Sequence, residues 1–423
     1  MNRRQAPPVR PFGHLSLPAD TVEELSNGIR LHYVGGGDQP ICRLILCFPG
    51  GLAEIGNTVT GKIVMSMLSN GSGHYSTEET ADILDFNGVR TGASQRSHFC
   101  TLRISMLNHR VAEIMPVMTD FLNAPLFPAD RLATACLNAR TQIETDIAEP
   151  SFGVEKLFDE LMLGKGHPLA LSPTPAFAEG FTVDKARELY NRLMCTTKCE
   201  AFLSGALNED IIQRVRTALE GVRSRSEGFT PKYVPLMPPD EPKHLHAEQR
   251  DSFQSTVKAG MPTIGRNHPD YIPLHLTVMA LGGYFGSRLM TNIREEKGLT
   301  YGIHASLMGQ REGAYLQISA QCDRSYTSLV LDEIRAELSR LATNPPTGRE
   351  LERLKLYATS ALAKSLDGPD EITDFHMTRL MADTPPDYFD ARLRAITALN
   401  PETIARIAAT ELNPDRLSTV TDA

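Results

Sequence analysis

The residue types that bind metals or attack substrates are present in this chain, but few stand at spacings that make a site. His244-x-His246 places two imidazoles two positions apart, and Cys195-x3-Cys199 places two thiols four apart. Zinc takes both ligand types, yet neither pair has a companion pair at zinc-ribbon or zinc-finger spacing. Gly282-Gly283 is not followed by Lys-Ser or Lys-Thr in P-loop register, so it implies a tight helix-to-turn geometry and no nucleotide. The seven cysteines, Cys42, Cys47, Cys100, Cys136, Cys195, Cys199 and Cys322, are odd in number and scattered through apolar segments. That is the pattern of buried free thiols, and it predicts a cytoplasmic protein.

Elements that would position any site follow from periodicity. Val22 to Tyr33 reads as extended chain turning at Asn27-Gly28, and Ile41 to Phe48 reads as a strand beyond Gly35-Gly36-Gly37-Asp38, a β-hairpin opening. Thr60 to Leu68 is helical in pattern. Ser76-Thr77-Glu78-Glu79 forms a capping box for a helix ending at Asn87-Gly88. A strand from Phe99 to Leu107 and a helix from Arg110 to Leu122 follow, then Pro125 and Pro128 break the chain before a long helix from Ala129 to Ile147.

This order recurs. Gly313 to Cys322 reads as a strand, Tyr326 to Leu341 as a helix, Asn344-Pro345-Pro346 as the break and Gly348 to Leu366 as the long helix. Pro125 matches Pro345, Pro150 matches Pro369, and Met67 to Gly71 aligns with Met279 to Gly283, so the chain reads as a duplicated unit of roughly 210 residues. The units run from 1 to 220 and from 243 to 423, with a polar, proline-rich linker over 221–242.

Composition sets outer limits. The chain has 423 residues, 41% hydrophobic and 22% charged, which is enough to build full cores and excludes disordered and collagen-like chains. Its net charge of -8 repels polyanions unless basic residues cluster on one face, and the sequence displays no such cluster, so no nucleic-acid partner is expected. No apolar run approaches the roughly 18 to 20 residues that span a bilayer, so no membrane insertion is expected. Met1 to Pro11 carries Arg3, Arg4 and Arg10 among prolines without an apolar core behind them; it reads as a disordered terminus rather than a secretory signal, with a partner-binding arm as the other reading.

Two stretches carry a resemblance to a known family. The first is Thr60-Gly61-Lys62-Ile63-Val64-Met65-Ser66-Met67-Leu68-Ser69-Asn70-Gly71, followed by Tyr75-Ser76, Leu84-Asp85-Phe86-Asn87-Gly88 and Gly92-Ala93-Ser94. The second is the long run from Leu281 to Gly302, with its Ser287-Arg288-Leu289, Arg294-Glu295-Glu296 and Leu299-Thr300-Tyr301. Together with the duplication, these resemble the M16 family, the pitrilysin, insulinase and mitochondrial-processing-peptidase group of zinc metallopeptidases. The resemblance implies an α+β fold of two homologous M16-type (LuxS/MPP-like) α/β domains, each a mostly antiparallel sheet packed with helices, related by internal duplication.

Catalytic members of that family carry H-x-x-E-H where this chain has Lys62, Met65 and Ser66. An ammonium offers zinc no lone pair, a thioether cannot take a proton from water, and a hydroxyl is a poor zinc ligand. Glu144 or its neighbours Gln142 and Ile143 fall where the family places its third ligand, and Glu144 alone holds no catalytic zinc; an ordinary helix-surface or interdomain carboxylate is the simpler reading. The chain is therefore expected to bind no metal and no cofactor.

The second stretch keeps the family's arginine and tyrosine, here Arg294 and Tyr301. The resemblance implies that they reach across a shared chamber, where a guanidinium orients a substrate carbonyl and a phenol stabilises the oxyanion. Taken singly, Arg294 reads as an ion-pair partner of Glu295, Glu296 or another carboxylate, and Tyr301 as a half-buried strand aromatic.

A chain without the zinc half but with the arginine and tyrosine resembles the non-catalytic subunit of a heterodimeric M16 peptidase. The resemblance implies an H-x-x-E-H partner that supplies the zinc, or a second copy of this chain when that partner is missing, and peptides or unfolded segments as substrate. Substrate is expected to add as a strand to a sheet edge, with Ile41 to Phe48 as the candidate edge. The alternatives are a stand-alone peptide-binding protein and a structural scaffold of the same fold.

Overall fold

The computed structural model describes residues 13–248 and 253–422; the basic segment Met1 to Arg10 lies outside them. The first unit contains β1 (Thr21–Glu24), β2 (Arg30–Gly35), β3 (Ile41–Pro49), α1 (Leu52–Ile55), α2 (Thr60–Met67), α3 (Thr77–Phe86), β4 (Arg90–Gln95), β5 (Phe99–Leu107), α4 (Val111–Asn123), α5 (Ala129–Ala148), α6 (Phe152–Leu163), α7 (Val183–Leu193), β6 (Glu200–Gly205) and α8 (Glu209–Glu220). The second contains β7 (His244–His246), β8 (Gln254–Thr263), α9 (Tyr271–Gly282), a π-helical turn over Met290–Glu296, β9 (Thr300–Gly309), β10 (Ala314–Asp323), α10 (Thr327–Thr343), α11 (Gly348–Ala363), α12 (Pro369–Met381), α13 (Tyr388–Ala398), α14 (Pro401–Glu411) and β11 (Ser418–Thr421).

Sheet topology carries the duplication further than the sequence does. The first sheet runs β1-β2-β6-β3-β5-β4 and the second β7-β11-β8-β10-β9. With β1 set aside, every strand has a counterpart at the same place, and both sheets hold one parallel pair, β2 with β6 and β7 with β11. The fold is α+β, two homologous and mostly antiparallel sheets packed with helices.

The opening hairpin needs correction. β2 and β3 do not pair: β6 lies between them, parallel to β2 and antiparallel to β3. The hairpin that does form joins β1 to β2 across Asn27-Gly28. Consequently β3 is a central strand, bonded on both sides by β6 and β5, and offers a substrate no edge. The free edges of that sheet are β1 and β4.

β3 shows how two faces are built from one strand. Cys42, Leu44, Leu46 and Phe48 enter a core with Ile63, Val64 and Met65 of α2 and Ile114, Met118 and Phe121 of α4. Arg43, Ile45 and Cys47 point the other way, as the two-residue period of a strand requires. Against that second face lies α12, from the other unit: Met377, Leu380 and Met381 cover Ile45, Cys47 and Phe202. The Arg43 guanidinium donates to both Asp374 carboxylate oxygens (3.1 and 2.9 Å) and to the Asp370 carbonyl (2.8 Å).

The exchange is reciprocal. α6 of the first unit packs on the outer face of the second sheet, where Val154, Phe158 and Met162 meet Tyr315 and Val420. α6 and α12 follow the matched prolines Pro150 and Pro369, so each unit lends its equivalent helix to the other.

A third contact between the units is ionic. The His98 imidazole bonds Glu54 through Nδ1 (2.6 Å) and Glu312, on the β9–β10 turn, through Nε2. Burial pushes this imidazole down, but the hydrogen bonds with Glu312 and Glu54 outweigh it and hold its pKa at about 9, above the ordinary 6.5. Burial works to raise Glu54, and its bonds with His98 and the Gly51 N–H hold it below the ordinary 4.5. The His98 contribution is therefore complete below about pH 6.5 and disappears as pH rises through about 9, while the Glu54 contribution disappears on acidification below 4.5. Thermal unfolding of the native chain and His98→Gln should show the native advantage shrinking between pH 6.5 and 9; a difference that does not vary with pH would contradict this clasp.

Candidate functional site

Helix α2 carries the three positions where zinc chemistry is expected by resemblance. Asn57 caps it, its Oδ1 accepting from the N–H groups of Val59 (3.1 Å) and Thr60 (2.8 Å) and from the Thr60 hydroxyl (2.9 Å). A Cβ on Gly61 would sit 2.6 Å from Gln95 Oε1 and 2.7 Å from Cys100 Sγ, so this glycine lets α2 lie tight against β4 and β5. Lys62 and Ser66 share the exposed face, and Met65 is fully buried in the first core. The Ser66 hydroxyl donates to the Ile63 carbonyl (2.8 Å). These donors do not fit a zinc ion.

Glu144 is equally occupied. On the exposed side of α5, its carboxylate accepts from Arg140 Nε at 2.7 Å, one helical turn away. Among the described residues, no three His, Cys, Asp or Glu side chains stand where they would hold a metal ion. His244 and His246 form strand β7 and bond Thr419 (2.9 Å) and Thr421 (3.2 Å) of β11, and Cys195 and Cys199 are buried free thiols. Replacing Met65 by glutamate should cost about 2 kcal/mol, because a carboxyl would enter an apolar core without a partner. Chemical denaturation of Met65→Glu measures this; an unchanged midpoint would mean that α2 turns the new side chain out to water.

The stretch from Leu281 to Gly302 is built differently. Gly282 and Gly283 end α9, the helix-to-turn geometry read from the sequence, and a Cβ there would lie 2.6 Å from Ala305 and 2.7 Å from Met279. Arg288 anchors the segment to α11 through Glu350 (2.8 and 3.2 Å). Asn292 donates to Glu333 (2.9 Å) and Glu337 (2.7 Å) of α10, while Leu289 and Ile293 fill the second core. Between these anchors the backbone forms a π-helical turn, Met290–Glu296, a rare geometry that recurs at functional sites.

Arg294 lies on this turn with a third of its side chain exposed. Its guanidinium is 3.7 Å from Glu295 and 5.1 Å from the centre of the Phe285 ring, which is itself 63% exposed. The ion pair with Glu295 is the one the simpler reading anticipated. Tyr301 departs from its simpler reading: it is 90% exposed and its hydroxyl makes no hydrogen bond among the described residues.

A β-bulge explains the exposure. Thr300 pairs with Cys322 and Ile303 with Ala320, so Tyr301 and Gly302 together face the single residue Gln321. The extra residue turns the strand and aims the phenol away from the sheet. Sequence reasoning did not find Phe285; its signal was an aromatic residue between Gly283 and Gly286, where no helix face exists to bury it.

The basic residues also group in a way the sequence did not reveal, which corrects the expectation that no cluster forms. Three adjoining cavities of about 450, 330 and 490 Å³ share Arg266 and Ala382 as walls: the second lies between the units, the first is lined wholly by the second unit, and the third by the second unit and Tyr233. Arg311, Arg379 and Arg392 contribute to one or more of them.

Comparison with known proteins places this geometry among relatives. Residues 180–357 match the family described as the peptidase M16 inactive domain. An uncharacterized zinc protease of Streptomyces coelicolor is 23% identical over 347 residues, 76% of this chain and 74% of that protein. The non-peptidase homolog YmxG of Helicobacter pylori is 22% identical over 333 residues, 75% of each chain. Among solved structures, a peptidase M16 inactive domain from Pseudomonas fluorescens superposes with a TM-score of 0.84 at 19% identity, covering 96% of this chain and 97% of that one. A protease from Helicobacter pylori superposes with a TM-score of 0.80 at 15% identity, covering 96% and 99%.

Proposed function

We propose, for a chain that belongs to the M16 peptidase family as a non-catalytic member, that it is the substrate-orienting subunit of a heterodimeric zinc peptidase. The observation that carries this reading is Tyr301, nearly fully exposed on a bulge beside the π-turn that presents Arg294, in a chain whose zinc positions hold Lys62, Met65 and Ser66. Exposing a large aromatic without a hydrogen-bond partner does nothing for this chain's own core, whereas a partner's chamber would use it.

The metal and the attacking water belong to the H-x-x-E-H partner. Arg294 offers planar donors that orient a peptide carbonyl, and the Tyr301 hydroxyl donates to the oxyanion as it forms. Substrate pairs with a sheet edge; with β3 enclosed, β4 is the edge we assign to it. Peptides and unfolded segments present the free backbone that such pairing needs.

Three further features of the reading stand as proposals. A cytoplasmic location is supported by seven free cysteines, six of them buried. A second copy of the chain takes the partner's place when that partner is missing. The units are bounded at 1–220 and 243–423, supported by the absence of helix or strand over 222–242.

The test is reconstitution. The purified chain with zinc should cleave no peptide, and addition of an H-x-x-E-H subunit should produce turnover that exceeds that subunit's own. Zinc-dependent cleavage by the pure chain would overturn the reading. The scaffold alternative predicts that the two subunits together do no better than the catalytic one alone.

A further inference from the structure

The basic groove that runs from the junction of the units along the second unit is unlike the rest of a chain whose net charge is -8. Like charges repel, so a group of cations that outnumbers its counter-charges raises the energy of the free protein and lowers that of a complex with an anion. Among the described residues, Arg392 makes no hydrogen bond or ion pair. Arg266 bonds the Gly309 carbonyl (3.2 and 2.6 Å), and Arg379 Nε is buried without a partner. Of the carboxylates on these walls, Asp374 is taken by Arg43, which leaves Glu371 in the first cavity and Asp383 in the third against seven cationic side chains. The His275 imidazole on the same wall is held at about 4 by burial and by Arg392 and Arg266, a sign of the positive field there.

The cations do not converge on one point. Arg392 and Lys364 line the first cavity, Arg96 and Arg103 the second, and Arg311 the second and third, with Arg266 at the centre of all. A compact anion satisfies convergent donors, whereas charges spaced along a chain satisfy dispersed ones. Tyr271, Phe375, Met377 and Met381 supply apolar wall between the cations, as side chains of a peptide require. The groove lies at the Gly309 end of β9 and Tyr301 near the other, roughly 25 Å away at the rise of an extended strand.

We propose that this groove binds an extended polypeptide segment bearing carboxylate side chains, at a site separate from Arg294 and Tyr301. The binding belongs to this chain alone and does not require a peptidase partner. Fluorescence anisotropy with the full chain tests it, using labelled ten-residue peptides of alternating Glu-Ala and alternating Lys-Ala. The Glu-Ala peptide should bind, more weakly as salt rises, and the Lys-Ala peptide should not.

Arg392→Gln and Lys364→Glu should each weaken that binding about tenfold or more, the scale of one charged hydrogen bond. Lys364 is exposed, so its variant keeps the test valid if Arg392→Gln fails to fold. Equal binding of both peptides, or unchanged affinity in a folded variant, would overturn the proposal. So would saturable binding of inorganic pyrophosphate without binding of the Glu-Ala peptide, which would make the groove a site for compact anions. Loss of turnover in the reconstituted pair bears on Tyr301 and leaves this result untouched.

Discussion

Tyr301→Phe in the reconstituted pair is expected to lower turnover by about one to three powers of ten, the range for losing one donor to a developing oxyanion. The substitution removes one hydroxyl and keeps the ring. At a position 90% exposed, with a hydroxyl free of internal hydrogen bonds, it should leave stability of the chain unchanged. This separates chemistry from folding: kcat should fall while the melting temperature and the association of the two subunits stay as they were. A fall in kcat with KM nearly constant marks an interaction made in the transition state. Unchanged turnover would remove Tyr301 from the mechanism, and weaker association would make it an interface residue.

Phe158→Ala is expected to cost about 3 to 5 kcal/mol, the range for emptying a fully buried aromatic site. Phe158 is the centre of the contact that α6 makes on the second sheet. Its ring stands edge-on to Tyr315 at 6.2 Å, with the Lys258 ammonium 5.7 Å from its centre. Gly260 makes room for it, since a Cβ there would lie 2.7 Å from the ring. Because α6 comes from the first unit, the cavity would also loosen the junction. Denaturant unfolding should show a lower midpoint, and separation into two transitions if the units then unfold independently. A loss below about 1 kcal/mol would mean that the exchanged helix contributes little to holding the units together.

Local signals were legible in the sequence. The capping box at Ser76 and Glu79 forms as read, with Ser76 Oγ accepting from Glu79 N (3.1 Å) and the Glu79 carboxylate accepting from Ser76 N (2.8 Å). Strand β5 matches its reading from Phe99 to Leu107, and the long helices after Pro128 and Thr347 start as their prolines and polar residues dictate. Duplication was visible because proline breaks are strong local punctuation.

What escaped is non-local. β4, Arg-Thr-Gly-Ala-Ser-Gln, has few residues that favour a strand and is held by pairing with β5. The insertion of β6 between β2 and β3 joins residues some 160 positions apart, so a hairpin looked sufficient. His244 to His246 read only as a pair of imidazoles because a three-residue strand exists only by pairing with β11.

The candidate site divides along the same line. The loss of zinc ligands at Lys62, Met65 and Ser66 and the retention of Arg294 and Tyr301 were read directly from residue types. The π-turn and the bulge that expose the pair were not, since neither has a periodic pattern. Nor was the basic groove, whose arginines come from positions as distant as 96 and 392 and line adjoining cavities only because the fold brings both beside Arg266.

The central claim is that this chain works as one half of a peptidase, and native purification from the source organism tests it most directly. The chain should come down with a similar-sized protein in equal amount, and mass spectrometry should identify that protein as bearing H-x-x-E-H. Recovery of the chain alone, or together with subunits of a membrane complex, would contradict the account and leave the peptide-binding or scaffold role in its place.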